Sequence, residues 1–239
     1  MPKIVYKPVG ITPYELIQKL KIKYPDYKKV AFTGRLDPMA HGEMLLLINE
    51  ECKKLPQYLS FHKTYEYTVM FGAATDTYDI LGNVTKCHVS DYDLELILEK
   101  RKSLIGDYFQ EFPPFSSKTV KYQGKMTPLW KIKDKSNIKL PTKRIKVNNI
   151  KYIKHQYFTK NKLLSYIQQR LDLVTSKDFD TKKFFKGWEK IPNNNYLIVK
   201  FVSTVSSGTY IREITNQLGN STQYHATVLD IFRKKIILN

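Results

Sequence analysis

Cysteine is scarce in this chain of 239 residues: Cys52 and Cys87 stand 35 positions apart, outside any CxxC or Cys/His spacing, so neither a disulfide framework nor a zinc site is indicated. A reducing compartment fits that usage. The ten glycines never form GxGxxG or a GxxxxGK loop, which removes the usual support for a nucleotide cofactor. The five histidines, His41, His62, His88, His155 and His225, show no HExxH or other metal-ligand spacing and read as structural or exposed. Long apolar runs are missing too. The longest is MLLLI at Met44 to Ile48, far short of the ~20 residues that span a bilayer. The first residues, MPKIVYKPVG, carry no apolar signal region. The expectation is a soluble intracellular protein without membrane association, placed first in the cytoplasm, with nucleus or organelle left open.

Acid is the other thing in short supply. Against 40 Lys+Arg stand 22 Asp+Glu, a formal charge of +18, and such a balance points to a polyanionic partner. The excess concentrates between Lys118 and Lys154, where twelve basic residues face one acid, Asp134, with Tyr122, Trp130 and Tyr152 interleaved. Lysines and arginines neutralise phosphates while aromatic faces stack on unpaired bases at roughly 1–3 kcal/mol each, a combination suited to RNA. A solvated lysine-rich face is the bland alternative. A membrane surface fits less well, because no segment combines basic residues with a clean apolar helical stripe.

Helical and strand patterns mix without a repeat, which points to an α+β or mixed-sheet domain. TPYELIQKLK has Thr12 as N-cap, Pro13 at the first helical position and Glu15 closing a capping box. Further helices are expected from near Ser90, through KLLSYIQQRLDLV, and over TYIREITNQLG, the last ending at Gly219. EMLLLIN, KTYEYTVMF, RIKVNNIKYI, NYLIVKFVS and TVLDIFRKKI read as strands, and LGNV at Leu81 to Val84 as a hairpin-like turn. Two segments look inserted or mobile: the lysine-rich residues 113–140, and 176–195, where Phe179, Phe184, Phe185 and Trp188 interrupt a polar run and are expected to pack on the core.

Among the acids, Asp76 and Asp79 in TDTYD are three apart and fit a turn better than a cation site. Asp37 is the more interesting, since Pro38 after it disfavours helix and places it at a strand end or in a loop. The segments KPVGITPYELIQKLK, FTGRLDPMAHGEMLLLI, KTYEYTVMFGAATDTYDILGNV, FPPFSSKTVKYQGK and SSGTYIREITNQLG occur in the order and approximate spacing of the tRNA pseudouridine synthase B (TruB) family, and the chain resembles that family over most of Lys7 to Arg233.

The resemblance implies the pseudouridine synthase fold, α+β with a mixed, largely antiparallel central sheet flanked by helices and loops, and an isomerase that converts uridine to pseudouridine in RNA, typically in the tRNA T-loop, with no cofactor and no metal. It implies that Asp37 is the catalytic aspartate, acting on a flipped uridine. Tyr65 is then the tyrosine that stacks on the target base, and Arg212 the arginine paired with the aspartate. Lys7 and Pro8 match a motif of mainly structural role. RNA contacts are expected from Phe32, Arg35, Lys121, Tyr122, Lys125 and Lys131. Three departures from the family pattern stand out. Phe32 occupies a place where the family usually has histidine, Arg35 replaces a small residue before Leu36-Asp37, and the chain stops soon after Arg233, where many relatives continue into a PUA domain. A single catalytic domain, 1–239, acting as a monomer is the expectation. Alternatives are a non-catalytic RNA-binding or RNA-folding protein on the same scaffold, and a synthase acting on a non-tRNA target.

Overall fold

The computed structural model describes residues 2–88, 91–135 and 138–238. The first half contains strands β1 (Lys3–Lys7), β2 (Val30–Phe32), β3 (Ala40–Ile48), β4 (His62–Phe71), β5 (Ala73–Thr75), β6 (Val84–Cys87) and β7 (Gly106–Glu111), with helices α1 (Pro13–Lys23) and α2 (Leu94–Lys100). The second half adds β8 (Thr119–Tyr122), β9 (Lys125–Pro128), β10 (Thr142–Thr159), β11 (Asn195–Val205) and β12 (Ala226–Ile237), with α3 (Lys160–Leu171), α4 (Thr181–Trp188) and α5 (Ile211–Thr222).

Among the described residues, eight strands join in one sheet ordered β1-β3-β12-β4-β11-β10-β7, with β2 also paired to β3. All pairs are antiparallel except β12 with β3, where Ile231–Arg233 run alongside Ala40–Gly42. The expected mixed, largely antiparallel sheet is therefore present.

Alternation along the central strands explains how helices cover both faces. On β4, Tyr65, Tyr67, Val69 and Phe71 enter a core shared with Leu16 of α1, Ile97 of α2 and Ile211, Ile214 and Leu218 of α5. Met70 points the other way, into a second core with Leu163, Ile167 and Leu171 of α3 and Trp188 of α4. Burying each such Leu or Ile is worth about 1.5–3 kcal/mol, so β4 and β11 are held from both sides.

Local signals placed several elements as expected. Thr12 and Glu15 form a reciprocal capping box at α1. Asp93, not Ser90, caps α2, its carboxylate accepting from Leu96 N at 3.1 Å; Ser90 itself lies outside the described residues. α5 continues through Gly219 to Thr222 and ends at Gln223 in the left-handed region, φ 63°. Gly219 serves close approach instead of termination: a Cβ there would come within 2.5 Å of Ala226 N on β12. The segment 113–140 is more ordered than its composition suggests, because β8 and β9 form a hairpin closed by Lys121↔Met126 and Tyr122↔Lys125 pairing. Likewise, 176–195 folds into α4, capped by Asp180, and Phe179, Phe184, Phe185 and Trp188 pack on the second core as expected.

Candidate active site

The loop from Thr33 to Met39, between β2 and β3, carries Asp37, and two buried cations hold it from behind. Lys7, at the end of β1 and fully buried, donates to the carbonyls of Pro8 (2.9 Å), Pro38 (3.2 Å) and Ala40 (2.7 Å). Burial pushes its ammonium down to about 7, with the Asp37 carboxylate opposing. The three carbonyls match the three protons of the charged form and tie β1 to the residues that follow Asp37. Arg233 of β12, 1% exposed, donates to the carbonyls of Gly34 (3.1 Å), Arg35 (3.2 Å) and Glu43 (2.5 Å). Its guanidinium fork thus spans the other limb of the loop.

Asp37 faces the first turn of α5. Arg212 Nε donates to Asp37 Oδ2 at 2.7 Å, Nη1 to the Thr77 carbonyl at 2.6 Å and Nη2 to the Phe115 carbonyl at 3.3 Å. A second carboxylate, Asp79, lies 3.7 Å from Nε. A cation in the first turn of a helix is opposed by the helix dipole, and here two carboxylates outweigh that effect, holding Arg212 well above its ordinary range despite burial. Asp79 is buried and pushed up by desolvation, with Asp37 adding to the rise and Arg212, the Thr77 hydroxyl and the Leu81 amide opposing it. Asp37 differs in being open: its side chain keeps 34% exposure while that of Arg212 keeps 3%. The result is a carboxylate with one oxygen held by a locked guanidinium and a face toward solvent.

That face looks into a cleft of about 240 Å³ lined by Asp37, Arg35, Tyr65, Lys63, Ser207 and Tyr210, among others. Tyr65 is 7% exposed, and its hydroxyl lies 3.5 Å from Arg233 Nη1. Tyr210 opens α5 and is bracketed by Gln110 of β7, whose Oε1 accepts from Tyr210 N at 2.8 Å and whose Nε2 donates to Tyr210 O at 3.1 Å. Gln110 thereby satisfies an amide that the helix start leaves without a partner.

Asp37, Tyr65 and Arg212 are therefore brought together from three separate elements. Arg35 lies exposed at the cleft, its guanidinium 5.4 Å from the Phe32 ring. Phe32 itself is half-buried on β2 and packs on the main core. Lys121, Tyr122 and Lys125 lie on the β8–β9 hairpin, and Lys131 in the turn after it, beside Trp130. The three lysines are exposed and Tyr122 is half-buried. The hairpin starts two residues beyond Ser117, which lines the cleft.

Of the TDTYD acids, Asp76 serves the turn, accepting from Asn83 N and Nδ2 at 2.9 and 2.8 Å. Asp79 belongs to the site, which its spacing did not reveal. Lys63, Asp79, Gln110 and Arg233 went unrecognised in the sequence; the one available hint was that Lys63 and Asp79 fall inside the KTYEY and TDTYD segments. Among the described residues, no three His, Cys, Asp or Glu side chains cluster as metal ligands. No helix of the described residues is long and apolar enough to cross a membrane.

A family model described as TruB family pseudouridylate synthase (N terminal domain) matches residues 21–175. The chain belongs to the TruB family. Asp37, Tyr65 and Asp79 fall within the matched residues, while Arg212 lies beyond them. Among its relatives, the tRNA pseudouridine synthase B of Thermotoga maritima is 28% identical over 237 residues, covering 98% of this chain and 62% of its own length. That of Mesoplasma florum is 30% identical over 212 residues, with 84% and 71% covered. That of Aquifex aeolicus is 36% identical over 118 residues, with 49% and 41% covered. This TruB-family chain thus spans under two thirds of the Thermotoga relative. A solved Cbf5-Nop10-Gar1 complex contains a chain of the same fold, with a TM-score of 0.59 at 16% identity over 98% of this chain and 48% of that one.

Proposed function

We propose that this TruB-family chain isomerises uridine to pseudouridine in RNA, with the T-loop of tRNA as its target. The observation that carries the reading is the Asp37–Arg212 pair: a carboxylate one third exposed at a cleft, one oxygen held at 2.7 Å by a buried arginine whose other nitrogens are committed to carbonyls. Simple RNA binding gains nothing from such an arrangement, because a carboxylate repels phosphates. A reaction at the sugar or base gains a fixed nucleophile or base. The guanidinium fixes the direction of the carboxylate, with one oxygen engaged and the open face turned to the cleft.

A target uridine must leave its stack to reach Asp37, at a cost of a few kcal/mol, and Tyr65 on the cleft wall recovers part of it by stacking. Phe32 and Arg35 beside the cleft, and Lys121, Tyr122, Lys125 and Lys131 on and after the hairpin, contact the surrounding RNA. No cofactor or metal takes part, the protein works as a monomer, and residues 1–239 act as one catalytic domain in the cytoplasm.

Asp37→Asn keeps the shape and the Oδ-side hydrogen bond but loses the nucleophilic charge. Tritium release from a T-stem-loop RNA labelled at uridine C5 should fall below detection, with RNA affinity unchanged within about twofold. Release within about tenfold of the unmodified chain removes Asp37 from the mechanism.

A further inference from the structure

The cleft holds positive charge that the reaction proposed above leaves unused. Lys63, at the start of β4, is 3% exposed and lines the cleft. Its ammonium donates to the Phe61 carbonyl at 2.5 Å. The charges acting on it, Arg233 and Lys143, are both cations, and burial together with these pushes it down to about 8. The cleft's own carboxylate, Asp37, is already engaged by Arg212.

Sheet register places a turn beside this lysine. Lys63 pairs with Val205, the last residue of β11, and the chain continues into Ser207, Gly208 and Thr209, all of which line the cleft. From β10, Lys143 reaches over the same turn, donating to the Ser207 carbonyl at 2.9 Å. Gly208 makes room for it twice over. Its φ is +82°, and a Cβ would meet Lys143 Nζ at 2.1 Å. Lys143 is in turn pushed down by burial and by Lys118. Lys63 of β4 and Lys143 of β10, on the strands that flank β11, thus bring positive charge to the Ser207–Gly208 turn at the cleft. The buried Lys63 charge lies near other cations without a carboxylate of its own, an arrangement that is relieved when an anion enters.

We propose that Lys63, Lys143 and the Ser207–Gly208 turn form a phosphate subsite, which holds the RNA phosphodiester next to the uridine presented to Asp37. The proposal rests on the RNA reading above. A single phosphodiester between two ammonium groups would fix the sugar of that nucleotide relative to the carboxylate, turning general attraction for RNA into register along the strand.

The test is a double cycle on binding, with T-stem-loop RNA carrying one methylphosphonate, an uncharged replacement, at the phosphate on the 5′ or the 3′ side of the target uridine. Anisotropy titrations with the full chain at fixed salt should show Lys63→Gln and one of the two methylphosphonates each weakening binding by about tenfold. Combined, they should weaken it no further than either alone, whereas Lys63→Arg should keep affinity within about threefold of wild type. Lys143→Gln, at an exposed position, repeats the cycle where the Lys63 variant has a lowered melting temperature. Losses that multiply at both phosphates for both lysines overturn the subsite. Because binding needs no turnover, the two proposals separate. A non-additive cycle in a protein that forms no pseudouridine overturns the function and keeps the subsite. Pseudouridine formation with multiplying losses does the reverse.

Discussion

Arg212→Met takes away the cation paired with Asp79 in the protein interior while keeping much of the arginine stem's volume. The side chains of Arg212 and Asp79 are 3% and 6% exposed, with Nε 3.7 Å from Oδ2. At that separation and an effective dielectric of about 20, the attraction is roughly 4 kcal/mol, and breaking a buried pair from one side costs about 3–5 kcal/mol. Asp37 adds little to this figure, because it is one third exposed and water takes over when the guanidinium leaves. Urea denaturation near pH 8 should therefore show Arg212→Met less stable by about 3–5 kcal/mol at unchanged m. The deficit should shrink toward pH 5. Asp79 already has its folded pKa raised by burial; losing Arg212 raises it further, so protonation on acidification relieves the uncompensated charge. Asp79→Asn in the same background should restore at least about 1 kcal/mol, since an amide needs no cation and its oxygen can still accept from Thr77 and the Leu81 amide. Destabilisation below about 1 kcal/mol, or a further loss on adding Asp79→Asn, would refute the account of the pair.

Two other predictions follow from buried and exposed charge. Burial pushes Glu213 up to about 7, against the opposing Asn216 amide. A folded pKa above the ordinary 4.5 means that the protonated form's contribution is complete below about 4.5 and lost as pH rises through 7; Glu213→Gln should accordingly gain about 2–3 kcal/mol on the unmodified chain between pH 5 and pH 8, and parallel stability curves would contradict this. Changing Lys121, Lys125 and Lys131 together to Ala should lower the slope of log affinity against log salt by about 2–3, and an unchanged slope would mean that the hairpin points away from RNA.

Legibility followed the range of the interaction. The capping box of α1 is complete within four residues, Thr12 to Glu15. The β4 alternation is visible within KTYEYTVMF, because side chains of successive strand residues point to opposite faces whatever surrounds them. The Asp37 loop, Tyr65 and Arg212 were legible through ordered motifs. The lysine-rich segment was harder: composition marked residues 113–140 as loop, yet the hairpin there is held by Tyr122↔Lys125 pairing and tied back at Leu129 N to Lys118 O, contacts that apolar periodicity cannot report.

Tertiary structure alone decided the partners of the buried charges. Lys63, Asp79 and Arg233 look like ordinary polar residues in sequence, and the motif that marked Lys7 did not show its three carbonyl partners, since nothing local distinguishes a lysine bonded to carbonyls from one in water. Arg212 meets Thr77 across 135 positions and Asp37 across 175, and Arg233 reaches Gly34 across 199. Gly219 makes the same point: a glycine near a helix end reads as a stop, but the helix runs on to Thr222, and the glycine answers the approach of β12, which passes 2.5 Å from where its Cβ would be. Periodicity and capping are properties of a few neighbouring residues and survive in sequence. Burial of a charge, and which group compensates it, depends on what the folded chain brings alongside.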